Sequence, residues 1–480
     1  MRRSTALLIT LSASLASASS ASAWTNAVEL TPPGGTGTVQ GVAIGMNAAG
    51  NATALWGYAP DYRLTQWSIN ATNHTVGQNA ADGSPSWSGD ASISTPGEGL
   101  ALTETNNGQP RLAVGVGPTG NAVAAWSSLA SNNDGQIEAA SRPASGQPFG
   151  APTLLTTTRT QCGGNTTIAP SAPVVSIAAN GKGHVSWFGT CVNSTFPQPP
   201  LFTRAFDASG LAGAALTVEA DGAAVSSEGG NRITPQVAEA VTGDAAVTAF
   251  AHDTSGGGRG TVYDRLTSSI SDQRVTGQTY AAHTASVTPT GVRVAALPGG
   301  GALVAWILNG TVHVSVDGGP DTTIPTPGQN VIAQNFSLSA GADGTAVLAW
   351  IDTNGGAVWG AVRSPAGTIG APTPGAFGPA HRLSSTDGAP NNVRTAVSAN
   401  GTGYAVWNRD TGSFDSVEGS IVDPLDPSRS PGTPWQLQPV ADSLISGGFT
   451  SGIQAGNALP PAIAVDAAGD ADVIAPVEIP

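Results

Sequence analysis

Three short polar groups follow aromatic residues directly or by one or two positions: His252-Asp253 after Phe250, Asp352 after Trp350, and Asn408-Arg409-Asp410 after Trp407. Carboxylates recurring at matching places suit a hard cation such as calcium, or the hydroxyls of a sugar, because both take oxygen ligands. Each Asp also has a local use, since in a turn its side chain accepts hydrogen bonds from its own backbone. Two arginines form a second pattern. Arg293 and Arg394 each precede a repeated turn glycine by the same interval, where the other copies carry Ala43, Ala113, Val174, Gln236, Ser337 and Ala462. A guanidinium among small or neutral strand residues needs partners. It fits a clamp for a carboxylate or an anionic sugar, or a structural bridge to an Asp on an adjacent loop. His252, Asp253, Arg293, Asp352, Arg394, Arg409 and Asp410 are therefore the binding candidates.

Other chemistries lack their frames. No Gly-x-Ser-x-Gly elbow surrounds a serine, and neither a phosphate loop nor a dinucleotide fingerprint follows a strand. The histidines (74, 184, 252, 283, 313 and 381) show no metal-ligand spacing, and His184 reads as a packed residue inside a core strand. No catalytic residue, metal ligand or cofactor is assigned. Glu138 and Glu418 fall in third strands of the repeat described below. Cys162 and Cys191, the two cysteines of the chain, lack a Cys or His neighbour at zinc spacing. In an exported chain they read as one disulfide.

Export is expected from the first 23 residues. Arg2-Arg3 is followed by the apolar "ALLITLSASLAS" and by "ASA" ending at Ala23, the pattern of a secretory leader cleaved before Trp24. No later segment has ~20 unbroken apolar residues, so no membrane span is expected. A net charge of −14 disfavours a nucleic-acid partner, which needs a basic footprint. Charged residues are only 10% of a chain rich in Gly and Pro, which suits many short strands and turns.

Those strands are legible in a repeat. "VAIGMNAAGNATALW" (42 to 56) returns as "LAVGVGPTGNAVAAW" (112 to 126) and "VVSIAANGKGHVSW" (174 to 187). The next copies are "VAEAVTGDAAVTAF" (237 to 250), "VRVAALPGGGALVAW" (292 to 306) and "FSLSAGADGTAVLAW" (336 to 350). The last two are "VRTAVSANGTGYAVW" (393 to 407) and "AIAVDAAGDADVIA" (462 to 475). Each is two apolar runs around a tight Gly turn, a β-hairpin. Large and small residues alternate in the first run, predicting a strand buried on both faces. Trp56, Trp126, Trp187, Phe250, Trp306, Trp350 and Trp407 recur as core anchors. A third strand follows each hairpin, such as residues 136–146 or 357–367. A fourth opens with an aromatic and closes with Leu or Ile, as in Trp24 to Leu30, Trp87 to Ile93, Phe149 to Leu155 and Phe377 to Leu383. Four strands per repeat of about 40 to 60 residues predict an all-β fold, a single β-propeller over residues 24–480. Eight repeats predict eight blades, with seven as the alternative. The N-terminal strand would close the ring, and the last blade would be short by one strand.

"IAVDAAGDADVI" (463 to 474) and "VGPTGNAVAAW" (116 to 126) resemble a repeat of exported bacterial β-propeller proteins, usually written "VAVDAAGNAVAVW". The resemblance implies a propeller and no particular activity. A more distant likeness is to sialidases: "SVDGGPDT" (315 to 322) follows their S-x-D-x-G-x-x-W turn with Thr in place of Trp.

The turns inside the hairpins are uniform, whereas the loops behind the Trp and ahead of the first strand vary, so the variable ends are the expected binding face. The expected protein is a secreted, monomeric, non-catalytic binder of an extracellular glycan or protein. A sialidase-like glycosidase or polysaccharide lyase is the alternative.

Overall fold

A computed structural model of the chain describes residues 3–11, 28–30, 38–60, 67–79, 85–88, 91–95, 99–100, 111–129, 135–155, 168–169, 172–188, 190–191, 201–207, 210–211, 216–219, 238–242, 245–255, 259–268, 274–279, 290–298, 301–316, 319–325, 331, 335–352, 356–366, 373–384, 389–410, 415–422, 437–439 and 460–479. These residues form antiparallel sheets and almost no helix.

The sheets follow the repeats. In sheet one, Thr38–Met46, Ala52–Ala59, Ser68–Asn79 and Pro85–Trp87 lie side by side in chain order. Sheets two to seven repeat the order from first strands that begin at Leu112, Val174, Ala238, Thr290, Phe336 and Ala389, and in sheet two Gly99–Leu100 also pairs with the end of the second strand. Sheet eight has Ala462–Val465, Ala471–Ile479, Arg3–Leu11 and Val28–Glu29. Of the N-terminal strand expected in the last sheet, Val28–Glu29 takes the fourth place there, and residues 24–27 lie outside the described residues. The expected gap is not there, because Arg3–Leu11 takes the third place.

The chain divides into two compact units. One comprises Met1–Leu64, Asn70–Ala91 and Ile324–Pro480, the other Thr65–Ile69 and Ser92–Thr323. Within the first unit, the first strands of sheets six, seven, eight and one are neighbours in that order. Within the second, those of sheets two, three, four and five are.

Packing explains the large-and-small alternation. A Cβ on Gly115, in the first strand of sheet two, would stand 2.9 Å from Ile177 Cγ1 and 3.0 Å from Val175 Cγ1 of sheet three. The small face of one first strand thus receives the large face of the next. In sheets six and seven the same contact is polar: Ser337 Oγ lies 2.9 Å from Thr395 Oγ1 and accepts from the Thr395 N–H at 3.1 Å. The expectation that first strands are buried on both faces is met in part: Phe336, Ser337 and Leu338 are buried, whereas every residue of Val174–Ile177, at the margin of its sheet, is only half-buried. The second strands, flanked on both sides, carry the continuous burial, with Ala302–Leu308 and Ala346–Asp352 buried at every residue.

The anchor tryptophans sit in those second strands. Trp56, Trp126, Trp187, Trp306, Trp350 and Trp407 are all buried; Phe250 is in the second strand of sheet four, its side chain outside the described residues. Ile93, Leu155 and Leu383, which close three of the fourth segments, are also buried, and their N–H groups bond back to the third strands, to Ile69, Ile137 and Val358.

Candidate functional site

The two ends of these sheets are built differently. At the hairpin end, the turns of sheets one, two, three, six and seven close by the same two backbone bonds, for example Gly120 N–H to Gly117 O (2.9 Å) with Gly117 N–H to Asn121 O (2.7 Å), and Gly401 to Ser398 (3.1 Å) with Ser398 to Thr402 (2.8 Å). The turn glycines have φ between 75° and 98°, from Gly120 to Gly469, a region open to glycine at no steric cost. Asn and Asp side chains satisfy the turn backbone. Asp466 Oδ1 accepts from the N–H groups of Ala468, Gly469 and Asp470 at 2.8 to 2.9 Å. Turns are also tied to their neighbours: Asn121 Nδ2 donates to Gly181 O at 3.1 Å, and Asn400 Nδ2 to Ala468 O at 3.0 Å.

Two arginines outside the candidate set brace this end. Arg142 Nε donates to the turn carbonyl of Gly120 at 3.0 Å, with its guanidinium carbon 5.4 Å from the Phe149 ring centre. Arg363 Nη1 reaches Gly344 O in the same way. Burial pushes the Arg142 guanidinium down to about 10. Turns capped and bridged in this way are scaffold.

The opposite strand ends break the ladder. The first strands of sheets one, five and seven carry a β-bulge between Gln40 and Val42, Thr290 and Arg293, and Asn391 and Arg394. Each bulge holds one residue in the left-handed conformation: Gly41 (φ 66°), Gly291 (φ 61°) and Asn392 (φ 57°). Glycine takes that conformation freely, while an L side chain there costs roughly 1–2 kcal/mol, with Asn the residue that best tolerates it. Bulges of this kind re-aim side chains and collect beside binding sites. Asn392 is therefore the departure that calls for an explanation.

Polar residues of sheets six and seven surround it. The Asn392 N–H donates to Asn335 Oδ1 at 3.0 Å, and Asn392 Nδ2 donates to Asn391 Oδ1 at 2.9 Å. Asn391 pairs across the ladder with Asn408, and Pro390 with Arg409. Behind Arg409 is Glu418, only 1% exposed, which accepts from Trp407 Nε1 at 3.1 Å through Oε2 and pairs with Arg409 Nη1 through Oε1. Asn391, Asn392 and Arg394 are half-buried. Side-chain amides and guanidinium groups at one strand end offer paired donors and acceptors in fixed directions, the chemistry that reads hydroxyl and carboxylate groups.

The candidates from the sequence fall at these strand ends. Arg409 and Asp410 close the second strand of sheet seven, and Arg394 follows its bulge. Asp352, buried, ends the second strand of sheet six. Arg293 and Arg394 share one local geometry, each donating from Nη1 to the carbonyl of the preceding valine, Val292 or Val393, at 3.0 Å. His252 and Asp253 continue the second strand of sheet four; their side chains, and that of Asp410, lie outside the described residues. Cys162 also lies outside them, while Cys191 pairs with Ile168 in a two-stranded ladder. The sialidase-like turn falls partly outside, at residues 317–318; Ser315 Oγ donates to Gly319 O at 2.7 Å. Sequence reasoning missed Asn335, Asn391, Asn392 and the partners of Glu418. One signal was present: "NNVR" (391 to 394) stands where other copies read "QGVA" (40 to 43) and "TGVR" (290 to 293). Among the described residues, no group of three or more His, Cys, Asp or Glu is placed to hold a metal ion, and no helix is long and apolar enough to cross a membrane.

No known protein family and no curated protein sequence matches the chain. Solved structures do. An α-L-arabinanase of Penicillium chrysogenum complexed with arabinobiose is 14% identical, with 65% of this chain and 88% of that one covered and a TM-score of 0.40. A fucose-specific lectin from Aleuria aurantia is 14% identical over 68% and 94% of the two chains, with a TM-score of 0.38. An ulvan lyase, of a polysaccharide lyase family, is 10% identical over 80% and 94%, with a TM-score of 0.45.

Proposed function

We propose that this is an exported β-propeller of eight four-stranded blades, and that the loop-bearing strand ends of sheets six and seven bind an extracellular glycan without chemical turnover. Eight repeats, one sheet for each, support the blade number, and a last sheet drawn from both ends of the chain supports closure. The leader pattern up to Ala23 supports export. The observation that carries the binding reading is Asn392, a non-glycine in a left-handed bulge, joined to Asn335 and Asn391 beside Arg394 and Arg409. Local strain of this kind gathers at ligand clamps. A second reading, a carbohydrate-active enzyme, draws on the carboxylates of Asp352, at the end of the second strand of sheet six, and of Glu418, in the third strand of sheet seven.

The test is an array of neutral and uronic-acid glycans probed with the exported protein, with and without calcium, alongside Asn392→Gly. Glycine relieves the left-handed backbone, so the variant should be as stable as the parent or more so, by up to about 1 kcal/mol. It should lose the glycan signal at least tenfold. Equal binding by parent and variant would remove the site from sheet seven. A bound glycan that is shortened, or that yields an unsaturated product, would replace the first reading with the second.

A further inference from the structure

Sheets one to seven each take their third strand from the chain that follows the second. Sheet eight takes it from the other end of the sequence. Arg3–Leu11 pairs antiparallel with Ala471–Ile479 over its whole length, from Arg3↔Ile479 to Leu11↔Ala471. Its other edge pairs with Val28–Glu29 through Leu7 and Leu8. The first strand of the sheet reaches only Ala471 to Ile474. Among the described residues, Ala475 to Ile479 therefore have Arg3–Leu11 as their only ladder partner. Yet Arg3–Leu11 belongs to the segment whose pattern is that of a removable leader.

We propose that removal of the leader opens this third-strand place, and that it then accepts an extended strand donated by another polypeptide. The place is lined by the edge of Ala471–Ile479, and Val28–Glu29, whose described ladder runs only to Leu7 and Leu8, is free to pair with the far edge of the inserted strand. The wall is firm, since Ala471, Val473 and Ala475 are fully buried. Unpaired strand edges of this length are templates for pairing. In such strand addition the main chain supplies affinity and alternate side chains supply specificity. The segment seated there defines the chemistry of the guest: from Ser4 to Leu11 it is uncharged, aliphatic and hydroxyl-bearing, and free of Pro and Gly. Pro476 speaks against a second copy of this chain as the guest. It has no N–H to give, and pairing two such edges would bring two prolines into one ladder.

The proposal rests on leader removal and is independent of the glycan reading, because sheet eight contributes no residue to that site. The full chain is produced in an exporting host, and the N-terminus of the recovered protein is read by mass spectrometry. Hydrogen exchange of residues 471–479 is then followed as a synthetic peptide of residues 3–11 is added. The expected protein begins at Trp24 and is monomeric, with fast exchange at 475–479. At a peptide concentration 100 times its Kd, exchange there should slow about 100-fold, with one peptide bound per chain. A peptide carrying Ala6→Pro and Ile9→Pro, which removes a donor from each edge, should give no protection. The proposal is overturned if the exported protein retains residues 3–11, if 475–479 are already protected without peptide, if a dimer protects them, or if the unaltered peptide changes nothing.

Discussion

His184 offers a test of the core in acid. It lies in the second strand of sheet three, opposite Ser176 and Ala205, and is 0% exposed. Burial alone pushes its imidazole from 6.5 down to about 4, because the charged ring would lose its water. In the unfolded chain the ring takes a proton as the pH falls through about 6.5, whereas in the folded chain it stays neutral until about 4. The unfolded state thus binds more protons over that window, and stability falls as the pH falls. At about 1.4 kcal/mol for each unit of pKa, the loss between pH 7.5 and pH 4.5 is about 2 to 3 kcal/mol. The assay is urea unfolding at the two pH values, read by pulsed hydrogen exchange on residues 183–188, for the parent and for His184→Gln. Carboxylates elsewhere act alike in both proteins and cancel in the comparison. The parent should lose about 2 to 3 kcal/mol more than the variant. Parallel losses would mean that the folded protein accommodates a charged His184, and the burial argument would fail.

Glu418→Ala strips a buried partner from Trp407 and Arg409, and thermal and urea unfolding should show a loss of about 3–5 kcal/mol, the cost of leaving a largely buried charge unpaired. Combined with Arg409→Met in a double-mutant cycle, it should give a coupling of at least about 1 kcal/mol; additive losses would dissolve the pair. In sheet two, Gly120→Ala should be far more costly than Gly146→Ala. Both positions are left-handed (φ 75° and 72°), but a Cβ at Gly120 meets the Ser145 backbone nitrogen at 2.7 Å and one at Gly146 meets nothing within 4 Å. Urea midpoints should place Gly146→Ala about 1–2 kcal/mol below the parent and Gly120→Ala further below. Gly115→Val forces a branched side chain against Val175 and Ile177 and should cost about 1–3 kcal/mol by the same measurement.

By itself the sequence determined the periodic parts of this protein. The turn glycine, the large-and-small alternation and the Trp six residues on repeat because each copy solves the same local problem, and local geometry is legible in a linear pattern. Hence the hairpins, the buried tryptophans and the two strand ends as scaffold and candidate face could be read from it. The tertiary structure decided what depends on partners far away in the chain. Second strands rather than first carry the continuous burial, because a first strand lies at the margin of its sheet and a second strand has a neighbour on both sides. Glu418 acquires its role from Trp407 and Arg409 across a ladder, and Asn392 from Asn335, which lies 57 residues earlier. The third place in sheet eight was filled from residues 3–11, a pairing between opposite ends of the sequence that no local pattern encodes. Backbone edges pair by geometry and hydrogen-bonding need, and both belong to the folded sheet.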